Sequence, residues 1–108
     1  MAELKDEIVK LLDEKQADDI AVLDFRGKNP YLDYFIIATA RNARLAYALI
    51  DTVDDYCNKE NIEVRSIDSK GESGWYLIDL NSIIVHIFLE NERKKYDLEG
   101  LWKDLIKK

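Results

Sequence analysis

The sequence has little cysteine, histidine, proline or glycine, and each shortage excludes a class of protein. Cys57 is the single cysteine among 108 residues, so it excludes an intramolecular disulfide and a cysteine-based metal site and favours a reducing compartment. One proline and four glycines are too few for a fibrous chain, while 47% hydrophobic residues are too many for a disordered one. We therefore expect a single folded domain over 1–108.

Positive charge is also scarce. Sixteen Lys and Arg residues against 22 Asp and Glu residues give a net charge of −6, which a nucleic-acid backbone repels, so direct nucleic-acid binding is not expected. No apolar run approaches the roughly 20 residues of a membrane span, and the acidic start lacks the basic and apolar regions of a signal peptide. The sequence predicts a soluble, cytoplasmic protein without a membrane partner.

Hydrophobic periodicity predicts the order of the elements. Apolar residues on one helical face indicate an amphipathic helix over 1–16, and Asn42 is placed to cap a second helix that ends near 60–61. Strands are expected at 20–23, 34–39, 62–66, 75–80 and 83–89, with 34–39 in the centre because it is almost continuously apolar, and with Asn81 and Ser82 forming a hairpin turn between the last two. Residues 90–108 form a charged tail with helical periodicity. The order α-β-β-α-β-β-β-α predicts an α/β fold with a mixed five-stranded sheet and flanking helices.

Candidate catalytic chemistry is sparse. Asp33, Asp79 and His86 stand next to or within apolar strands, but a metal site needs more ligands at recognisable spacing, and a lone strand histidine is more often a half-exposed residue. The chain has no glycine-rich phosphate loop and no two aspartates separated by one residue. Cys57 is expected to be a buried, inert thiol. We expect no metal ion, cofactor or catalysis; the alternative is a small nucleotide-binding or phosphotransfer enzyme, if the two aspartates and His86 converge in a pocket.

Large aromatic residues cluster in the last third of the chain and point instead to an interface. Along an extended strand Trp75, Leu77 and Asp79 lie on one face, opposite the apolar face of Tyr76 and its neighbours. A face that mixes tryptophan with aspartate is poorly suited to full burial. We therefore expect Trp75 to be an exposed anchor for a protein partner.

Several segments resemble the Iojap or ribosomal silencing factor family, from about Ile20 to Trp102. They are residues 19–27, the run 32–39, the pair of segments 75–79 and 84–88, and the ending 92–102. The resemblance implies a nucleotidyltransferase-like fold that lacks the catalytic acids. It also implies a factor that binds the large ribosomal subunit through ribosomal protein fourteen, blocks joining with the small subunit and so represses translation.

In that family the hairpin and the C-terminal segment supply much of the contact. The resemblance therefore predicts a partner-binding set made of Trp75, Leu77, Asp79, His86, Arg93, Tyr96, Leu98 and Trp102. It also suggests that the chain can form a homodimer, because the aromatic and aliphatic surface is large for a monomer of this size.

Overall fold

The computed structural model describes residues 3–68, 74–101 and 106–107. The helices are α1 (Leu4–Glu14), α2 (Ala43–Lys59), α3 (Glu90–Tyr96) and α4 (Leu98–Leu101), and the strands are β1 (Asp18–Asp24), β2 (Tyr34–Ala40), β3 (Ser66–Asp68), β4 (Trp75–Asp79), β5 (Ile83–Leu89) and β6 (Ile106–Lys107). None of the helices in these ranges is long and apolar enough to cross a membrane.

The strands form one mixed sheet in the order β3-β4-β5-β2-β1-β6. The two central strands, β2 and β5, are parallel, and the other pairs are antiparallel. The predicted fold class and order are thus confirmed, as is the central position of the apolar run in β2. Two-residue β6 extends the sheet beyond the five predicted strands by pairing with Val22 and Leu23 of β1, so the tail predicted as helical also contributes a strand.

Helices α1 and α2 cover one face of the sheet. Asn42 caps α2 as predicted, since its side chain accepts a hydrogen bond from the backbone N–H of Leu45 at 2.8 Å. Alternate strand residues point toward these helices, which places Ile36, Val85 and Ile78 in the same buried core as Leu12 and Leu49. Because every second residue points the other way, the same strands also supply a second hydrophobic cluster on the opposite face.

The strand predicted at 62–66 is wrong in position. Regular pairing begins only at Ser66 and runs to Asp68, all three residues being exposed, while Ile62 and Val64 pack singly against the helix-side core. The backbone N–H of Ile62 instead donates to the carbonyl oxygen of Cys57 at 2.7 Å, which closes the end of α2. The alternating pattern that suggested a strand thus reflects two isolated anchors of a connecting segment.

Candidate partner-binding surface

The face of the sheet opposite α1 and α2 carries the candidate surface. Strand register places the side chains of this face in rows: Trp75 pairs with Phe88, which pairs with Thr39, and the next row joins Leu77, His86 and Ile37. The short C-terminal helices pack on this side through Tyr96 and Leu98, and the segment between β1 and β2 packs there through Phe25 and Leu32. The surface is therefore an aromatic sheet face that is partly covered.

Trp75 lies at the centre of the aromatic contacts on this face. Its ring centroid is 4.6 Å from that of Tyr96 and 5.1 Å from that of Phe88, and its side chain is half-buried. The expected exposure of Trp75 is therefore only partial. Packing on two rings fixes the indole in one orientation, so little side-chain entropy remains to be lost on binding a partner.

His86 holds the same indole through a hydrogen bond. The Nε1–H of Trp75 donates to Nδ1 of His86 at 3.0 Å, so Nδ1 is unprotonated and the neutral ring carries its proton on Nε2. The side chain of His86 is only 5% exposed, which corrects the expectation of a half-exposed strand histidine. Burial lowers the pKa of His86 from 6.5 to about 4, because the charged ring would lose its hydration. His86 is thus a positioning residue for Trp75.

Buried Nε2 of His86 has no hydrogen-bond partner among the described residues. Phe35 lies edge-on to the imidazole, with ring centroids 4.6 Å apart. The histidine is therefore surrounded by aromatic rings, and this apolar setting is the reason for its lowered pKa.

Arg93 attaches α3 to the sheet. Its guanidinium donates a 2.8 Å hydrogen bond to Oγ1 of Thr39, a buried residue of central strand β2. This contact fixes the helix that carries Tyr96 beside Trp75. A predicted binding residue therefore has a structural role in shaping the surface.

The remaining predicted residues divide into three groups. Leu77 is half-buried in the row with His86, and Leu98 packs on the same sheet face. The Oδ1 of Asp79 accepts a 2.8 Å hydrogen bond from the backbone N–H of Asn81, which stabilises the predicted hairpin turn. Trp102 lies outside the described residues.

Sequence reasoning missed other members of the surface. Phe25, Phe35, Ile84 and Phe88 all belong to the cluster on this face. The alternation within β2 and β5 was the signal that could have identified Phe35, Ile84 and Phe88, because they share a face with His86.

The structure does not bring Asp33, Asp79 and His86 together. Exposed Asp33 lines a pocket of about 290 Å³ with Lys5 and Arg26, whereas Asp79 bonds within its hairpin and His86 bonds to Trp75. Within the described ranges, no three His, Cys, Asp or Glu residues are grouped so that they could hold a metal ion. Cys57 is buried as predicted, and burial raises the pKa of its thiol.

The fold and this surface define a class of α/β protein in which helices cover one sheet face and half-buried aromatic side chains lie on the other. All of residues 1–108 match the family described as ribosomal silencing factor during starvation, and the chain belongs to that family. The resemblance noted in the sequence is thereby confirmed.

Individual relatives agree with this assignment. The chain is 35% identical over 92 residues to ribosomal silencing factor RsfS of Bacillus subtilis (strain 168), a match covering 85% of this chain and 78% of the relative. It is 31% identical over 103 residues to mitochondrial assembly of ribosomal large subunit protein 1 of Mus musculus, covering 90% and 44%. A crystal structure of a protein from Bacillus halodurans superimposes with a TM-score of 0.83 at 27% identity and covers 97% of this chain and 96% of that one.

Proposed function

We propose that this chain is a non-enzymatic ribosomal silencing factor. It binds the large ribosomal subunit through ribosomal protein fourteen, blocks joining with the small subunit and so represses translation. Membership of the family supports ribosome-associated regulation, and the mouse relative is named for assembly of the large subunit. We place this activity in the cytoplasm, in keeping with the one free, buried cysteine.

The observation that carries the proposal is the immobilised indole of Trp75 on the sheet face away from α1 and α2. Hot spots of protein interfaces are commonly aromatic residues that are fixed before binding and lose their remaining hydration in the complex. Trp75 is fixed by Phe88, Tyr96 and a hydrogen bond to His86, and because it is only half-buried it keeps hydration that a partner could remove. We propose that Leu77, Tyr96 and Leu98 surround this anchor in the contact.

The charge of the chain favours a protein contact over an RNA contact. With a net charge of −6, the chain is repelled by ribosomal RNA and attracted by a basic protein patch. A bound acidic domain in the joining interface also adds electrostatic repulsion to its steric obstruction of the small subunit. Binding one ribosomal protein is thus enough for silencing, without catalysis.

Truncation of the anchor tests the proposal. The Trp75→Ala variant should bind isolated large subunits at least about thirtyfold more weakly, because an anchor of this type contributes roughly 2 kcal/mol or more. The same variant should lose inhibition of subunit joining. Co-sedimentation with large subunits and a subunit-joining assay measure the two effects.

Tyr47→Ala is the matched control. Tyr47 is a half-exposed aromatic residue of α2 on the other side of the sheet, where it packs against Tyr76. The control should bind as the wild type does, and circular dichroism melts establish that both variants are folded. If Trp75→Ala does not fold, Trp75→Phe can be tested in its place, because it keeps an aromatic ring and loses the indole N–H. Wild-type binding by a folded Trp75→Ala protein would remove this face from the contact, and an unmodified chain without effect on joining would refute silencing.

A further inference from the structure

A groove lies on the helix-covered side of the sheet, away from Trp75. The helix layer ends over β1, since α1 contacts β1, β2 and α2 while β1 continues toward the sheet edge beside β6. The space left between α1 and β1 has a volume of about 670 Å³. It is lined by Asp6, Val9, Lys10, Asp13, Ala17, Asp19, Ile20 and Val22.

The floor of the groove is apolar. Val9, Ile20 and Val22 are only partly buried although they pack against the helix-side core, and Ala17 lies between them. Ile20 and Val22 point to the same side because they are two residues apart in a strand. Apolar side chains that remain half-open at the end of a helix layer gain free energy when a partner covers them.

The rim of the groove is acidic. Asp6, Lys10 and Asp13 follow one stripe of α1, so Lys10 has a carboxylate one turn away on each side. Asp19 faces the stripe from β1, at a bulge where its backbone φ of 49° lies in the left-handed region that Asp and Asn tolerate. All three aspartates are exposed. Asp6 also lies 3.3 Å from Nζ of Lys5, so the negative charge beside the apolar floor comes mainly from Asp13 and Asp19.

We infer that this groove docks a basic amphipathic helix of a protein partner. The part of α1 that lines the groove runs from Asp6 to Asp13, so the groove is about 12 Å long, which is about two turns of a partner helix laid along it. Apolar residues at i, i+3, i+4 and i+7 of that helix meet the floor, and its flanking Lys and Arg residues meet the rim. Nucleic acid and anionic lipid surfaces are repelled by the same carboxylates.

The groove and the Trp75 surface lie on opposite faces of the sheet, so this inference does not depend on the proposed ribosomal contact. Both surfaces can be occupied at the same time. A factor held on one partner through its aromatic face would therefore present an open acidic groove to a second, basic partner.

A synthetic helix tests the groove in the full chain. A dye-labelled peptide of leucine and lysine, with leucines at the i, i+3, i+4, i+7 spacing, is titrated with the protein by fluorescence anisotropy, and its site is mapped by backbone amide NMR shifts. Shifts should centre on Val9, Asp13, Ile20 and Val22. A peptide of the same composition with scrambled leucines should bind much more weakly, because it has lost its apolar face.

Paired substitutions separate the groove from general charge. Asp13→Asn with Asp19→Asn should weaken peptide binding about three- to tenfold, as expected for two exposed charge contacts. Asp51→Asn with Asp55→Asn changes the net charge equally on exposed positions of α2 and should change binding less than twofold. Asparagine at position 19 tolerates the same backbone conformation, and circular dichroism melts verify folding.

Three results would overturn the inference. An equal loss in both double variants would reduce the binding to general electrostatics. Amide shifts centred on Trp75 and Tyr96 would move the peptide to the other face. A concentration-dependent doubling of mass, with the groove residues shifting in the absence of peptide, would make a second copy of the chain the occupant.

Discussion

The hydrogen bond between Trp75 and His86 joins the proposed anchor of the surface to the one histidine of the chain. Nδ1 can accept this bond only while it is unprotonated, so a single protonation event removes the acceptor and places a charge among Phe35, Phe88 and Trp75. The orientation of the indole is therefore linked to pH through a buried group. This linkage predicts a measurable loss of stability in acid.

We expect the free energy of unfolding to fall as the pH is lowered from about 6.5 to about 4. Between these values the histidine is protonated in the unfolded chain and neutral in the folded one. The unfolded state therefore binds more protons, and acid stabilises it relative to the folded state. The loss attributable to His86 should reach as much as about 3 kcal/mol at the acid end of the window. Urea unfolding at a series of pH values measures it.

His86→Asn provides the reference for this measurement. Asparagine does not titrate and keeps a side-chain oxygen that can accept from the Trp75 indole. Subtracting the pH profile of the variant from that of the wild type removes the contribution of the carboxylates that titrate in the same range. If the two profiles ran parallel between pH 4 and pH 6.5, His86 would have to be solvated in the folded state, contrary to its burial.

At the scale of elements, the pattern of apolar residues predicted the position of a strand in the sheet and the face on which its side chains lie. The continuous apolar run of β2 predicted a central strand, because both of its faces carry apolar clusters. Strand alternation also predicted that Trp75, Leu77 and Asp79 share a face. It could not predict that Arg93 reaches Thr39 or that Trp75 bonds to His86, since these contacts depend on how strands and helices distant in sequence come together.

Gly74 closes the junction between the hairpin and α3, and its replacement should destabilise the fold. Its carbonyl oxygen accepts from the N–H of Leu89 at 2.9 Å, its φ is +74°, and an added Cβ would lie 2.5 Å from Cγ of Glu92. Gly74→Ala should lower the free energy of unfolding by about 1–3 kcal/mol, through backbone strain and the clash of the added Cβ with the Glu92 side chain. Chemical denaturation measures the change.

Gly27→Ala isolates the backbone contribution. Gly27 has a similar φ of +80°, but an added Cβ would meet nothing within 4 Å. Gly27→Ala should therefore lower the free energy of unfolding by less than Gly74→Ala does. The difference between the two losses is the steric contribution of the Glu92 contact. Equal losses in the two variants would mean that the Glu92 side chain moves aside at no cost in stability.

At the scale of the whole molecule, charge and the two faces of the sheet govern what the chain can bind. The acidic surface excludes polyanions, the aromatic face offers a fixed anchor, and the groove beside α1 combines an apolar floor with a negative rim. The homodimer expected from the sequence stays a prediction. A second copy that covered the aromatic surface would compete with a ribosomal protein for it, whereas a second copy in the groove would leave that surface open.

Protein-free ribosomal RNA should not bind the chain saturably at micromolar concentration, whereas intact large subunits should. The reason is the net charge of −6, which opposes the approach of a phosphate backbone. Filter binding over a range of salt concentrations measures both. Tight binding to bare RNA that weakens steeply with added salt would indicate a phosphate-binding surface and contradict a contact made through protein.

The parallel pairing at the centre of the sheet has a consequence for synthesis of the chain. It joins Tyr34 to Ile83, about fifty positions apart, so the sheet closes late and its folding is slow relative to local contacts. Until residues 83–89 have been made, β2 keeps one backbone edge unpaired and both apolar clusters lack their β5 side chains, a state that favours aggregation. A translational pause before residue 83 would prolong that exposure, and throughout it Trp75 would lack Phe88 and His86, the side chains that fix its orientation.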